Sequence, residues 1–127
     1  YRILKEFFSD NPNHPDIAIV LNNIGQCYYR KSDYETALEF YKKSLEIRKI
    51  ISVDWSTNTD AATVLNNIAV IYIKTYDFDK AFEYLEKSHE IRNNLYSNDP
   101  NHPDFANSYN NFGVLYKNKG DFVKALE

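Results

Sequence analysis

Residues 21–30 read LNNIGQCYYR, residues 65–74 read LNNIAVIYIK and residues 109–118 read YNNFGVLYKN. The pair Asn22 and Asn23 thus recurs as Asn66 and Asn67 and again as Asn110 and Asn111, each step being 44 residues. The surroundings recur in the same register: Asp16, Asp60 and Asp104; Ala18, Ala62 and Ala106; Tyr28, Tyr72 and Tyr116; Asp33, Asp77 and Asp121; Ala37, Ala81 and Ala125. One spacing shared by so many positions is an internal repeat, which takes precedence over every local feature because a missed period misassigns the fold.

Each repeat carries two helices. Leu21, Ile24, Gly25 and Tyr28 follow the i, i+3, i+4, i+7 spacing of one helix face, and Ala37, Leu38, Tyr41, Ser44 and Leu45 do the same further on. We call these helix A and helix B. Helix A opens at His14-Pro15-Asp16 and at His102-Pro103-Asp104, where proline suits the first helical position and aspartate the positive end of the dipole. Asn58 stands at the same place in the second repeat and is a good N-cap. The A-to-B turns fall at Asp33, Asp77 and Asp121, with Gly120 suited to a left-handed helix end and Ser32 and Glu35 spaced as a capping box. The spacing predicts helices near 1–8, 15–31, 34–52, 59–75, 78–96, 103–119 and from 122 onward.

Composition narrows the function classes. The chain has 127 residues, net charge −3 and 43% hydrophobic residues, as expected of a single folding unit. Acidic and basic residues are interspersed, which argues against a nucleic-acid partner, since phosphate binding calls for a basic face. No apolar run reaches the roughly 18 residues of a membrane span, and no leader pattern opens the chain. Cys27 is the only cysteine, which excludes an internal disulfide and zinc sites built on several thiolates and fits a reducing, cytoplasmic setting. Methionine is absent and YRILKEFF already reads as helix interior, so the chain reads as a piece of a longer protein.

The small residue at Gly25, Ala69 and Gly113, the tyrosine three places on and the alanine twelve places on resemble the tetratricopeptide signature. The period is about ten residues longer than the ordinary repeat of about 34. With HPD before helix A, LNNIG or LNNIA within it and a long helix B ending in EIR, the units resemble the kinesin light chain type, and similar units occur in nephrocystin-like and bacterial sensor proteins. The proline that often follows helix B in the short repeat is missing. The resemblance implies an all-α fold, a right-handed α-solenoid of antiparallel helix pairs. Residues 1–11 then end a preceding repeat, 12–55 form repeat one, 56–99 repeat two and 100–127 a truncated repeat three.

Candidate chemistry gives way to packing. Cys27 is equivalent to Ile71 and Leu115 and is expected in the core. His14 and His102 share the place of Asn58, so helix capping accounts for all three; His89 aligns with Leu45 and Tyr1 and is expected half-buried on helix B. Tyr28, Tyr72 and Tyr116, and Tyr34, Phe78 and Phe122, are read as core. Lys42, Lys43, Glu46, Arg48 and Lys49 are read as a solvated face. No nucleophile elbow, metal-ligand spacing or phosphate loop is present, so no catalytic residue, metal or cofactor is expected.

The family resemblance implies that A helices line a concave surface, reached by positions three before and one, four and five after the small residue. These are Asn22, Gln26, Tyr29 and Arg30 in repeat one, Asn66, Val70, Ile73 and Lys74 in repeat two, and Asn110, Val114, Lys117 and Asn118 in repeat three. A carboxamide offers donors and an acceptor together and so suits a peptide backbone, although the same asparagines also suit bonds to neighbouring helices. The kinesin light chain likeness implies short peptides with an aromatic residue flanked by acidic ones. Its basic residue after the tyrosine maps onto Lys117, whereas Tyr29 and Ile73 hold the other two places and Arg30 and Lys74 follow one step later. The chaperone-tail clamp of other family members needs asparagine where Gln26, Val70 and Val114 stand. The leading expectation is a peptide-binding scaffold with a protein or acidic-peptide partner. The alternatives are a structural spacer, with end-to-end self-association, and the regulatory or sensor arm of a larger protein.

Overall fold

The computed structural model describes residues 15–51 and 58–126. These residues form α1 (Pro15–Arg30), α2 (Tyr34–Ile51), α3 (Thr59–Lys74), α4 (Phe78–Leu95) and α5 (Pro103–Leu126), with no strand among them. Two compact units divide between Trp55 and Ser56: α1 pairs with α2 in the first, and α3, α4 and α5 pack in the second. The helix expected near 1–8 lies outside the described residues.

Side chains that satisfy the free amides of the first turn set the helix starts. Asn58 accepts from the Ala61 N–H at 2.9 Å, and His102 Nδ1 accepts from the Asp104 N–H at 3.1 Å, so both cap as the register predicts; His14 lies outside the described residues. Helix B is capped by Asp33 and Asp77, whose Oδ1 atoms accept from the N–H groups of Thr36 and Lys80, each at 3.3 Å. The capping box read at Ser32 and Glu35 does not form, because Ser32 is the left-handed residue that ends helix A, with φ 64°. Tyr76 does the same in the next repeat with φ 66°, and the following amides close the motif, Asp33 N–H onto Tyr28 O at 3.0 Å and Asp77 N–H onto Tyr72 O at 2.9 Å. A left-handed residue with a side chain costs about 1–2 kcal/mol, so the packing of A against B holds these turns.

Gly120 departs from expectation. It occupies the register of Ser32 and Tyr76, yet α5 runs unbroken from Pro103 to Leu126 and no glycine among the described residues has positive φ. Residues 121–126 do not fold back on α5, so the straight ladder of backbone hydrogen bonds carries through the glycine. The columns that a returning helix buries in the first two repeats are open in α5: Tyr116 and Ala125 are exposed, whereas Tyr28 stacks on Phe40 and Tyr72 on Tyr84, each at 5.6 Å, and Ala37 and Ala81 are buried.

The A/B pairs share one device. The Ser44 hydroxyl donates to the Ala18 carbonyl at 2.6 Å, and the Ser88 hydroxyl to the Ala62 carbonyl at 2.8 Å, a buried tie from B to A at equivalent positions. Beside it the small residue of helix A admits a large one from helix B. Gly25 faces Tyr41 in the first repeat, and in the second the equivalent pair is Ala69 and Leu85, all four buried. Burial, with Tyr29 beside it, pushes the Tyr41 phenol up to about 12.

Two readings change. Cys27 is exposed, whereas Ile71 and Leu115 in the same column are buried. In α5 that column faces helix B of the preceding repeat, with Leu115 beside Phe78 and Phe82 of α4; the segment that corresponds to α4 for Cys27 lies outside the described residues. Arg48 is buried rather than solvated, its Nε donating to Ser44 Oγ at 3.4 Å. It continues the Ala37, Tyr41, Ser44, Leu45 face by i, i+4, i+7, i+8 and i+11.

Candidate peptide-binding face

The positions singled out on helix A sit on α1, α3 and α5. On α1, Asn22 and Tyr29 are half-buried while Gln26 and Arg30 are exposed, and the Tyr29 ring lies 5.7 Å from that of Tyr34. On α3, Asn66 and Val70 are half-buried, Ile73 is buried and Lys74 is exposed; on α5, Asn110, Val114 and Lys117 are exposed and Asn118 is half-buried.

The second unit brings several of these together. Asn111 Nδ2 donates to Asn66 Oδ1 at 2.7 Å and to Asn107 Oδ1 at 2.9 Å, so a chain of carboxamides ties α3 to α5. The first asparagine of repeat two is therefore held by the second asparagine of repeat three. The bond uses the oxygen of Asn66 as its acceptor. One turn further along, Ile73 and Lys74 of α3 and Asn118 of α5 line an open cleft of about 600 Å³ together with Tyr76, Asp121, Phe122 and Ala125. Tyr76 and Phe122 stack there at 5.4 Å. The cleft thus combines an apolar wall, a lysine ammonium, the Asp121 carboxylate and a carboxamide, which suits a segment with both apolar and polar groups. Val70, Asn110, Val114 and Lys117 lie on the same two helices outside this cleft.

The α4–α5 junction holds residues that sequence reasoning did not assign. The buried Arg92 donates through Nη1 to Ser108 Oγ at 2.6 Å and to the Asp104 carbonyl at 3.2 Å, so a helix B guanidinium fixes the first turn of the next helix A. Desolvation pulls its pKa down, opposed by the nearby Asp104 and Tyr96. Tyr96 donates to Asp104 Oδ2 at 2.9 Å and stacks on His102 at 3.6 Å. Half-buried His89 lies among Phe105, Tyr109 and Phe112, as a packing position should. The signal for Arg92 is in the sequence: it recurs 44 residues after Arg48, in step with the buried face of helix B.

Comparison with known proteins places this geometry. The family described as Tetratricopeptide repeat matches residues 6–50 and 60–127. No curated protein matches the sequence. Among solved structures, the crystal structure of BtubC (BKLC) from P. vanneervenii, a protein of the kinesin light chain type, is similar with a TM-score of 0.80 and 28% identity. The alignment covers 98% of this chain and 49% of that one, so this chain spans about half the length of that protein. Paired helices capped at the same places, the small-residue notch and the family match over most of the length lead to one conclusion: the chain belongs to the tetratricopeptide repeat family.

Proposed function

We propose that the chain is a protein–protein interaction module that takes a peptide segment across the faces of its A helices. Tetratricopeptide repeats generally mediate protein–protein interaction and are a non-catalytic scaffold fold. One observation carries the finer reading. Ile73, Lys74 and Asn118, positions that the family resemblance implies for the concave face, line one open cleft. Asn22, Gln26, Tyr29 and Arg30 are the equivalent positions on helix A of the first unit, and Arg30, Lys74 and Lys117 are exposed positive charges suited to an acidic segment. The module carries no reaction of its own and works in the cytoplasm. A peptide-display selection against the chain tests the reading, with selected peptides expected to be acidic and to compete with one another. A selection that yields only background binding contradicts it.

A second reading rests on the Asn66–Asn111 bond. Carboxamides that tie α3 to α5 are already used within the fold, as in a spacer whose repeats set distance. Substitution of Asn66 separates the two: a spacer loses stability alone, whereas a peptide module loses ligand affinity beyond what the lost stability explains.

A further inference from the structure

His89 and Arg92 stand three residues apart on α4, and both meet α5. Arg92 is matched there, since its Nη1 donates to Ser108 Oγ and to the Asp104 carbonyl. His89 is not. Phe105, Tyr109 and Phe112 of α5 lie round its imidazole with ring centroids at 5.8, 5.5 and 5.9 Å and planes inclined by 70°, 55° and 89°. Nδ1 is buried without a hydrogen-bond partner. Repeat one holds a buried Leu45 in this place, so packing of helix B does not itself call for a histidine.

A neutral imidazole suits the place as one aromatic ring among others, with one buried lone pair unmatched. An imidazolium does not. Both ring nitrogens then donate, the buried Nδ1–H has no acceptor, and a second cation stands beside Arg92 where water is largely excluded. The other charges give no relief. Glu86 and Glu90 of α4 are exposed, no carboxylate among the described residues pairs with His89, and the buried residues of α3 include no charged one. On α5 the ionisable groups nearby are the Tyr109 phenol and Asp104, whose carboxylate accepts from Tyr96 instead.

We infer that His89 is a proton-operated release for the seam between α4 and α5, protonation favouring the state in which α5 has lifted from α4 and water reaches the imidazole. With α5 lifted, His89 titrates as a free imidazole at about 6.5. With α5 seated, burial and then the charge of Arg92 hold it lower. The seam is therefore tightest above pH 6.5, and its opening constant rises as pH falls below that value, by at most about tenfold at pH 5.5. The candidate peptide face needs α5 seated beside α3, because the Asn66–Asn111 bond and the cleft of Lys74 and Asn118 span the two helices. Bound peptide then opposes the release by reciprocal linkage; this consequence rests on the peptide-module reading, whereas the release does not.

Amide hydrogen exchange of the 127-residue chain at about pH 7.5 and 5.5 tests the release, with protection factors that remove the intrinsic effect of pH on exchange. Residues 105–118 of α5 are expected to be less protected than α3 at both pH values, and their protection to fall severalfold, at most about tenfold, at the lower one. His89→Leu, which carries the residue of repeat one, is expected to hold α5 protection level, whereas His102→Asn, which carries the capping residue Asn58 of repeat two, keeps the parent's fall. Equal protection of α5 and α3 overturns the proposal, because the proton then acts only through unfolding of the whole unit. A fall that persists in His89→Leu, or that His102→Asn abolishes, overturns it as well. A display-selected peptide at saturation is expected to raise α5 protection at pH 5.5; a bound peptide that leaves it unchanged contradicts the reading of the peptide face and not the release.

Discussion

The ring of Tyr41 reaches to 2.8 Å from the point where a Cβ on Gly25 would stand, closer than real Cβ atoms come to a neighbour, and the Ala37 carbonyl lies 3.3 Å from the same point. Helices α1 and α2 therefore approach at a distance that only glycine permits while tyrosine fills position 41. Gly25→Leu is expected to destabilise the chain by about 1–3 kcal/mol or more through overpacking, and Ala69→Leu to behave alike. Gly25→Ala is expected to lose stability despite its better helix propensity, and Tyr41→Leu to rescue it by recreating the Ala69–Leu85 pair. Urea midpoints for the singles and the double test this, and additive effects contradict direct contact.

The contrast between Gly25 and Gly120 shows what the sequence makes legible. The 44-residue register identifies Gly25 as the notch of helix A, and the structure puts Tyr41 into it. The same register places Gly120 at a turn, yet a turn needs a helix packed back on its own A partner, and local preference at one glycine does not supply that. Cys27 follows the same logic, because its column is buried by a neighbouring helix rather than by its own hydrophobicity. Arg48 and Arg92 were hidden by residue type: charge suggests solvent, and only their step with the buried face of helix B reveals them. At the candidate site the family resemblance implies the helix positions and the register carries them from repeat to repeat, but the Asn66–Asn111 bond depends on how α3 and α5 lie against each other, which periodicity does not encode.

Arg92 should matter to the α4–α5 junction more than any surface charge. Arg92→Ala leaves Ser108 Oγ and the Asp104 carbonyl without this donor and is expected to cost about 1.5–3 kcal/mol, the worth of a hydrogen bond to a charged group. Arg92→Lys should recover only part of this, since an ammonium on a flexible stem is not held in place as the planar guanidinium is when Nη1 donates to both acceptors. The check is the urea midpoint at constant m-value; an unchanged midpoint contradicts the role.

His89 should make stability depend on pH in one direction. Burial among Phe105, Tyr109 and Phe112 lowers its pKa below 6.5, and the charge of Arg92 on α4 adds to this; Nδ1 is buried without a hydrogen-bond partner. The unfolded chain takes up the proton first, so stability is full above pH 6.5 and falls as pH drops through 6.5 toward the lowered folded value. His89→Leu, which places the residue found at Leu45, is expected to flatten that slope. Melting temperatures of both proteins between about pH 5 and 8 test it, and equal slopes contradict it.

The central claim is that peptide capture uses the A-helix face around Lys74 and Asn118. Its most direct measurement is calorimetric titration of a display-selected peptide into the parent chain, into Lys74→Glu with Lys117→Glu, and into Asn110→Ala with Asn118→Ala. The charge reversals are expected to weaken binding and remove its salt dependence. The amide truncations are expected to cost about 0.5–1.5 kcal/mol for each hydrogen bond lost, with folding preserved. A peptide that binds all three proteins with equal affinity, and with the same response to salt, contradicts the account.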